Sequence, residues 1–265
     1  MYETNYHRAS SVADAVKLLK KAEDPKILAG GMTLIPTMKQ RLASPSDLVD
    51  ITKISDLSGI KVSGKSVTIG AATTHYDVAT NEKLAKVCPA LCSLASHIGD
   101  PHVRYRGTIG GSISNNDPAA DYPSAMLALN ANIITDKRTI PADKFFKGLF
   151  ETSLKDGEIV TAIEFTAPAK AAYSKFPNPA SRYAMAGVFV AKDKEGVRVA
   201  VTGAGDGGVF RHKGLEAALD KKFDAGSVDA VKVDAKGLMS DMHATAAYRA
   251  ALIKVMAKRA VTAAG

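Results

Sequence analysis

The chain has 265 residues, 46% apolar and 23% charged, with 35 lysines and arginines against 27 aspartates and glutamates for a formal net charge of +8. That length can bury a real core in one large domain or two smaller ones, and the apolar runs are too short to span a membrane. The basic residues are spread out and tryptophan is absent, so the charge reads as a solvated surface, open to an anionic cofactor, with no nucleic-acid partner expected.

Taken in chain order, the start "MYETNYHRAS" has no basic segment followed by an apolar one, so the expected compartment is the cytoplasm. "SSVADAVKLLKKA" predicts a helix: Ser10 or Ser11 can cap it, and Val12, Ala15, Val16, Leu18 and Leu19 form one apolar stripe. "KILAG" reads as a buried strand ended by Gly30 and Gly31, and "TLIPTMKQRLA" as a helix with Pro36 in its first turn. "DLVDI" and "SVTIG" read as strands. From Thr74 to His97 the pattern is helical with breaks, and Cys88 and Cys92 fall on one helical face as a buried reduced pair. Two cysteines cannot build a four-cysteine zinc site or an iron–sulfur cluster, so any redox chemistry needs an organic cofactor. "YPSAMLALNA" predicts a helix, and "NIITD" and "EIVTAIEF" predict strands. Beyond a boundary placed near residue 170, three strand-like runs follow, "YSKF", "MAGVFVAKD" and "VRVAVTGAG", with a turn at Gly196. The helices "LEAALDKKF" and "ATAAYRAALIKVMAKRAV" close the chain, and strands grouped before helices indicate an α+β piece with an antiparallel sheet.

Two glycine pairs carry the functional reading. In "LAGGMTLIPTMK", strand, Gly-Gly and helix place free N–H groups where they attract phosphate, and glycine admits a ligand close to the main chain; an ordinary strand-to-helix turn has the same shape. In "RGTIGGSISNNDPAADYP" a strand-like Thr108-Ile109 runs into Gly110-Gly111 and then into small polar residues, a poor interior for a helix or a strand. Asp121 can cap the helix that follows, or accept hydrogen bonds from a ribose. Two such pairs without a P-loop lysine suit a diphosphate held by main-chain amides. A third cluster, Gly203, Gly205 and Gly208, has the G-x-G-x-x-G order but is followed by the extended "VFRHKG" and too little chain for a Rossmann unit, so it reads as a loop. The six histidines form no metal pattern; His75, His97 and His102 lie near the glycine stretches in sequence, as cofactor contacts or as surface residues. Lys175 in "YSKF" is either solvent-facing or a cation beside a bound anion or flavin edge.

On these residues, "KILAGGMTLIPTMKQRLASPSDLVDI" and "RGTIGGSISNNDPAADYPSAMLAL" resemble the two FAD-binding signatures of the flavoprotein (medium) subunit of molybdenum hydroxylases, the group of the carbon monoxide dehydrogenase medium subunit and the xanthine dehydrogenase flavin domain. The resemblance runs through nearly the whole chain. It implies an α+β protein: a two-lobed α/β FAD-binding domain (PCMH-like) over 1–170, its lobes split near 55, then a smaller α+β domain over 171–265 with a three-stranded antiparallel sheet. By position it assigns Leu28, Ala29, Gly30, Gly31, Met32, Thr33 and Leu34 to the FAD diphosphate and ribityl chain. Ile98, Gly99 and Val103 would lie along the cofactor, with Gly107 and Thr108 leading into the second pair. Gly110, Gly111, Ser112, Ser114 and Asn115 would supply a second set of amides and side-chain bonds. Ala120 and Asp121 match positions near the nucleotide end, and Val160 and Lys175 positions near the flavin. Met32 departs from the family, which commonly has a small or polar residue there.

The resemblance also implies an oxidoreductase subunit with no catalytic residue and no metal of its own. It would take electrons from 2Fe–2S clusters of a small partner subunit, downstream of a molybdenum cofactor on a large one, in a dimer of heterotrimers. It would pass them to a quinone, NAD or oxygen. A free-standing flavin oxidoreductase, or a nucleotide-binding module without turnover, are the other readings; flavin colour separates the module, and turnover without partners the oxidoreductase.

Overall fold

A computed structural model describes residues 1–265. The chain opens with β1 (Asn5–Arg8), α1 (Val12–Lys21), β2 (Pro25–Leu28), α2 (Leu34–Lys39) and β3 (Asp47–Asp50). The three strands form a parallel sheet in the order β1-β3-β2, with Asp47 opposite both Asn5 and Pro25. Ser11 caps α1, its hydroxyl accepting from the Asp14 amide at 3.1 Å, and Ala15 and Leu19 bury the apolar stripe against the sheet. The central strand β3 is buried along its whole length although it carries two aspartates. Both are hydrogen-bonded: Asp47 lies 2.6 Å from His7 Nε2, and Asp50 accepts from Tyr6 Oη and from the Thr52 amide at 2.7 Å, as buried carboxylates require.

The middle of the chain forms β4 (Ile60–Ser63), β5 (Ser66–Gly70), α3 (His75–Thr80), α4 (Glu82–Val87), α5 (Pro89–Ser96), α6 (Pro101–Arg106), α7 (Ile109–Asn115) and α8 (Tyr122–Ala128). It ends with β6 (Asn132–Thr135), β7 (Thr139–Pro141), α9 (Ala142–Phe145), β8 (Phe146–Gly148), β9 (Glu151–Thr152) and β10 (Val160–Thr166). Five of these strands make an antiparallel sheet, β4-β5-β10-β6-β7, centred on β10, the strand read most clearly from sequence. Val67, Ile69, Ile133 and Ile163 on the sheet and Leu84, Leu91, Ile109, Ile113 and Met126 on the helices share one core. The second glycine pair is helical here, contrary to the expectation of a strand running into a loop. Thr108 caps α7 by accepting from the Gly111 amide at 3.1 Å, and Ile109 and Ile113 bury one face.

The last part holds β11 (Lys170–Pro177), β12 (Ala184–Asp193), β13 (Gly196–Thr202), β14 (Phe210–Arg211), α10 (Lys213–Lys221) and α11 (Ala246–Ala264). The three expected strands pair antiparallel in chain order, turning at Gly196, and the two-residue β14 joins as a fourth. Val188, Val190, Val199 and Val201 pack against Ile253, Met256 and Ala260 of α11. Phe189, Ala191 and Ala200, on the opposite face, belong to the core of the middle part. The core is therefore continuous across residue 170. The third glycine cluster lies at the end of β13 with no helix behind it: Gly203 has φ +79° and its amide donates to the Pro118 carbonyl at 2.8 Å. No helix is long and apolar enough to cross a membrane.

Candidate functional site

The first glycine loop joins β2 to α2. Gly31 has φ +72°, a left-handed conformation that glycine adopts at little steric cost. Gly30 packs directly on the main chain of Arg106 and Gly107; a Cβ there would lie 2.7 Å from Gly107 Cα and closer still to the Arg106 carbonyl. The two glycine stretches thus meet. The amides of Gly30, Gly31, Met32, Thr33 and Leu34 find no acceptor within the chain. Five successive free donors at a left-handed turn form a concave anion site. Met32 joins it through its backbone; its side chain is exposed.

The second stretch is built differently. The Gly110 amide donates to the Ala71 carbonyl at 2.8 Å, that of Gly111 to the Thr108 hydroxyl, and that of Ser112 to the Thr108 carbonyl at 3.0 Å. The Ile109 amide reaches the Thr73 carbonyl at 3.1 Å, and the His75 amide the Gly107 carbonyl at 2.9 Å. The expectation that this pair supplies a second set of amides is therefore corrected: they close the chain on itself. What the stretch leaves free is the Ser112 and Ser114 hydroxyls and the Asn115 carboxamide, none of which bonds within the chain. Gly110 is needed for packing, since a Cβ would lie 2.5 Å from that of Ala71.

Between the stretches, Gly99 turns with φ +46° and Asp100 caps α6, accepting from the Val103 amide at 2.9 Å. The Arg104 guanidinium donates to the Ile98 carbonyl at 3.0 Å and holds this turn against the site.

Asp121 and Lys175 form a nearly buried ion pair, Nζ to Oδ2 2.9 Å, and Lys175 also donates to the His97 carbonyl at 3.0 Å. The Tyr173 hydroxyl donates to the other Asp121 oxygen. Asp121 stands at the N-cap of α8 but its side chain makes no cap bond, because partners from β11 claim both oxygens. This removes the capping role, and it also corrects the placing of Asp121 and Lys175 at opposite ends of a long cofactor. Burial pushes the Asp121 carboxyl above the ordinary carboxylate range, against the pull of Lys175 and Tyr173. Burial and Asp121 push the Tyr173 hydroxyl well up, so it remains a donor.

These parts surround one cavity of about 670 Å³, within the range of cofactor sites. All twenty-one residues singled out from sequence line it. Of the three histidines left open, His75 lines it and the side chains of His97 and His102 do not. Sequence reading missed Lys26, Asp117, Arg182 and Tyr183 at its walls. Arg182 and Tyr183 follow β11 in a loop with Arg182 at φ +63°, and no motif marked them. Asp117 lay inside the quoted stretch; burial pushes its carboxyl upward. No group of three or more His, Cys, Asp or Glu is arranged to hold a metal ion. The donors fit a ligand with an anionic group on the free amides and further hydrogen-bonding groups facing Ser112, Ser114, Asn115 and Lys175.

Comparison with known proteins gives the same chemistry a name. Residues 2–168 match the family model described as the FAD binding domain in molybdopterin dehydrogenase. The chain is 36% identical to the carbon monoxide dehydrogenase medium chain of Hydrogenophaga pseudoflava, covering 98% of this chain and 96% of that one. It is also 36% identical to the glyceraldehyde dehydrogenase medium chain of Sulfolobus acidocaldarius, covering 97% of each. Its fold matches that of a chain in the solved structure of carbon monoxide dehydrogenase from Hydrogenophaga pseudoflava lacking the Mo-pyranopterin moiety of the molybdenum cofactor. The TM-score is 0.91, with 36% identity over 99% of this chain and 97% of the other.

Proposed function

The chain belongs to the family of FAD-binding domains of molybdopterin dehydrogenases, and from that membership we propose that it is the flavoprotein, or medium, subunit of a molybdenum hydroxylase complex. The observation that carries the site is the run of five acceptor-free amides, Gly30 to Leu34, in one cavity, with Gly30 pressed against the Arg106–Gly107 main chain. In this reading those amides hold the FAD diphosphate. Ser112, Ser114 and Asn115 bind along the nucleotide, and Lys175, fixed by Asp121, donates to the flavin ring. Ile98, Val103 and Val160 line its apolar contact. Bound FAD supplies the redox chemistry; the side chains hold and orient it.

The complex would carry its molybdenum cofactor on a large subunit and 2Fe–2S clusters on a small one, as a dimer of heterotrimers. Electrons would arrive from the clusters and leave to a quinone, NAD or oxygen. The cysteines support the division of labour, because Cys88 and Cys92 are buried in the core and desolvation pushes their thiols up to about 12 and about 11. We place the complex in the cytoplasm, and divide the chain into 1–170, with lobes parting near 55, and 171–265.

Purification from the native source with cofactor and subunit analysis tests the proposal. A yellow chain with one FAD, held with a larger molybdenum-containing and a smaller iron–sulfur chain, is the expected result. A chain without flavin overturns the site, and a solitary chain that turns over a substrate overturns the subunit role.

A further inference from the structure

His75 is buried, 5% exposed, at the first position of α3, and it lines the cavity. Its ring packs against Tyr122, centroids 5.3 Å apart, and makes no side-chain hydrogen bond. Nδ1 is sealed in protein without a partner. Nε2 packs against Gly107, where a Cβ would lie 2.5 Å from it so that only glycine fits, and unlike Nδ1 it is not sealed from the cavity that His75 lines. A sealed lone pair costs less than a sealed N–H, which puts the proton on Nε2. Burial and the Arg104 charge push the imidazole down to about 4, so the ring is neutral, a donor through Nε2 alone. Gly107 is also the residue on which Gly30 rests, next to the free amides.

We propose that His75 Nε2–H donates a hydrogen bond to an oxygen of the diphosphate–ribityl stretch of bound FAD beside Gly107. This deepens the flavoprotein reading and rests on it. The bond gives the orphaned imidazole its missing partner and pins the cofactor where the two glycine stretches meet. It adds to the amide loop a side-chain donor from a third segment.

The test titrates the full chain, stripped of flavin, with FAD, following flavin fluorescence and recording each variant's urea midpoint. His75→Phe keeps a flat ring and removes the donor; it should weaken FAD about tenfold, the value of one good hydrogen bond. His75→Gln keeps an N–H and should stay within about threefold of the parent. Titration with ADP separates the two oxygen sources: a weakening shared by ADP puts the acceptor on the diphosphate, and one confined to FAD puts it on the ribityl chain. Unchanged FAD binding in His75→Phe overturns the proposal, as does equal weakening in both variants at equal urea midpoints. If His75→Phe does not fold, the parent chain labelled with ¹⁵N-histidine decides. FAD should shift the Nε2–H resonance of His75 and leave Nδ1 unprotonated, and an unmoved signal overturns the proposal. A parent chain that takes up no FAD overturns the flavoprotein reading itself.

Discussion

At Gly30-Gly31 the chain leaves five consecutive amides without acceptors, whereas at Gly110-Gly111 the amides are consumed by Ala71 and Thr108 and the ligand side is left to hydroxyls, a carboxamide and the Asp121–Lys175 pair. The same dipeptide therefore serves two ends. In the first loop Gly31 turns the free amides toward a ligand while Gly30 lets the loop lie on the second stretch; at Gly110 glycine only lets one segment lie flat on another. Replacing a first-loop glycine should therefore strike binding as well as packing, and replacing Gly110 should strike folding before binding.

The largest effect is expected at the end of the second stretch. Lys175→Met leaves the buried Asp121 carboxylate without its cation, and should cost about 3–5 kcal/mol in urea unfolding. Asp121→Asn combined with Lys175→Met should recover part of that loss, and a double variant whose loss equals the sum of the two single losses would show the pair is not coupled. Next, Gly110→Ala and Gly30→Ala each overpack a main-chain contact, by about 1–3 kcal/mol. The comparison requires Gly30→Ala to lose FAD at a denaturant concentration where it is still folded, and Gly110→Ala to lose FAD only as it unfolds. Flavin release followed beside circular dichroism distinguishes them.

A pH series isolates the joint between the stretches. His75 titrates near 6.5 when unfolded and at about 4 when folded, so the unfolded chain binds more protons between those values. Stability should fall as the pH drops from 6.5 toward 4, by about 1–3 kcal/mol, and His75→Gln should flatten that slope. The smallest changes are expected from Ser112→Ala and Asn115→Ala, each weakening FAD by about 0.5–1.5 kcal/mol in titration, with the urea midpoint unmoved.

Where periodicity or capping spoke locally, sequence reading reached the structure: α1, β10, α11 and the order of the last three long strands are visible in the residues themselves. β1 was missed because "NYHR" is polar and short, and its place is fixed only by pairing with β3. α7 is not visible in the sequence because a glycine pair weakens a helix, a cost offset here by the Thr108 cap and the burial of Ile109 and Ile113, while Ala71 leaves no room for a larger residue at 110. For Asp121 the sequence offers a helix cap or a ribose contact; its partners within the chain come from β11, and no local rule names them. Both glycine stretches line one cavity, but which of the two keeps its amides free depends on residues 71–75 lying against 107–110.

One feature of β12 reaches beyond the site. With Phe189 and Ala191 turned to the middle part and Val188 and Val190 to α11, this strand is a wall shared by two neighbours. During synthesis from the N-terminus, the cofactor half stays open on one side until residues near 200 have left the ribosome. A nascent or clipped chain ending near 170 would show an unsealed apolar face and would gather into aggregates before it could be loaded.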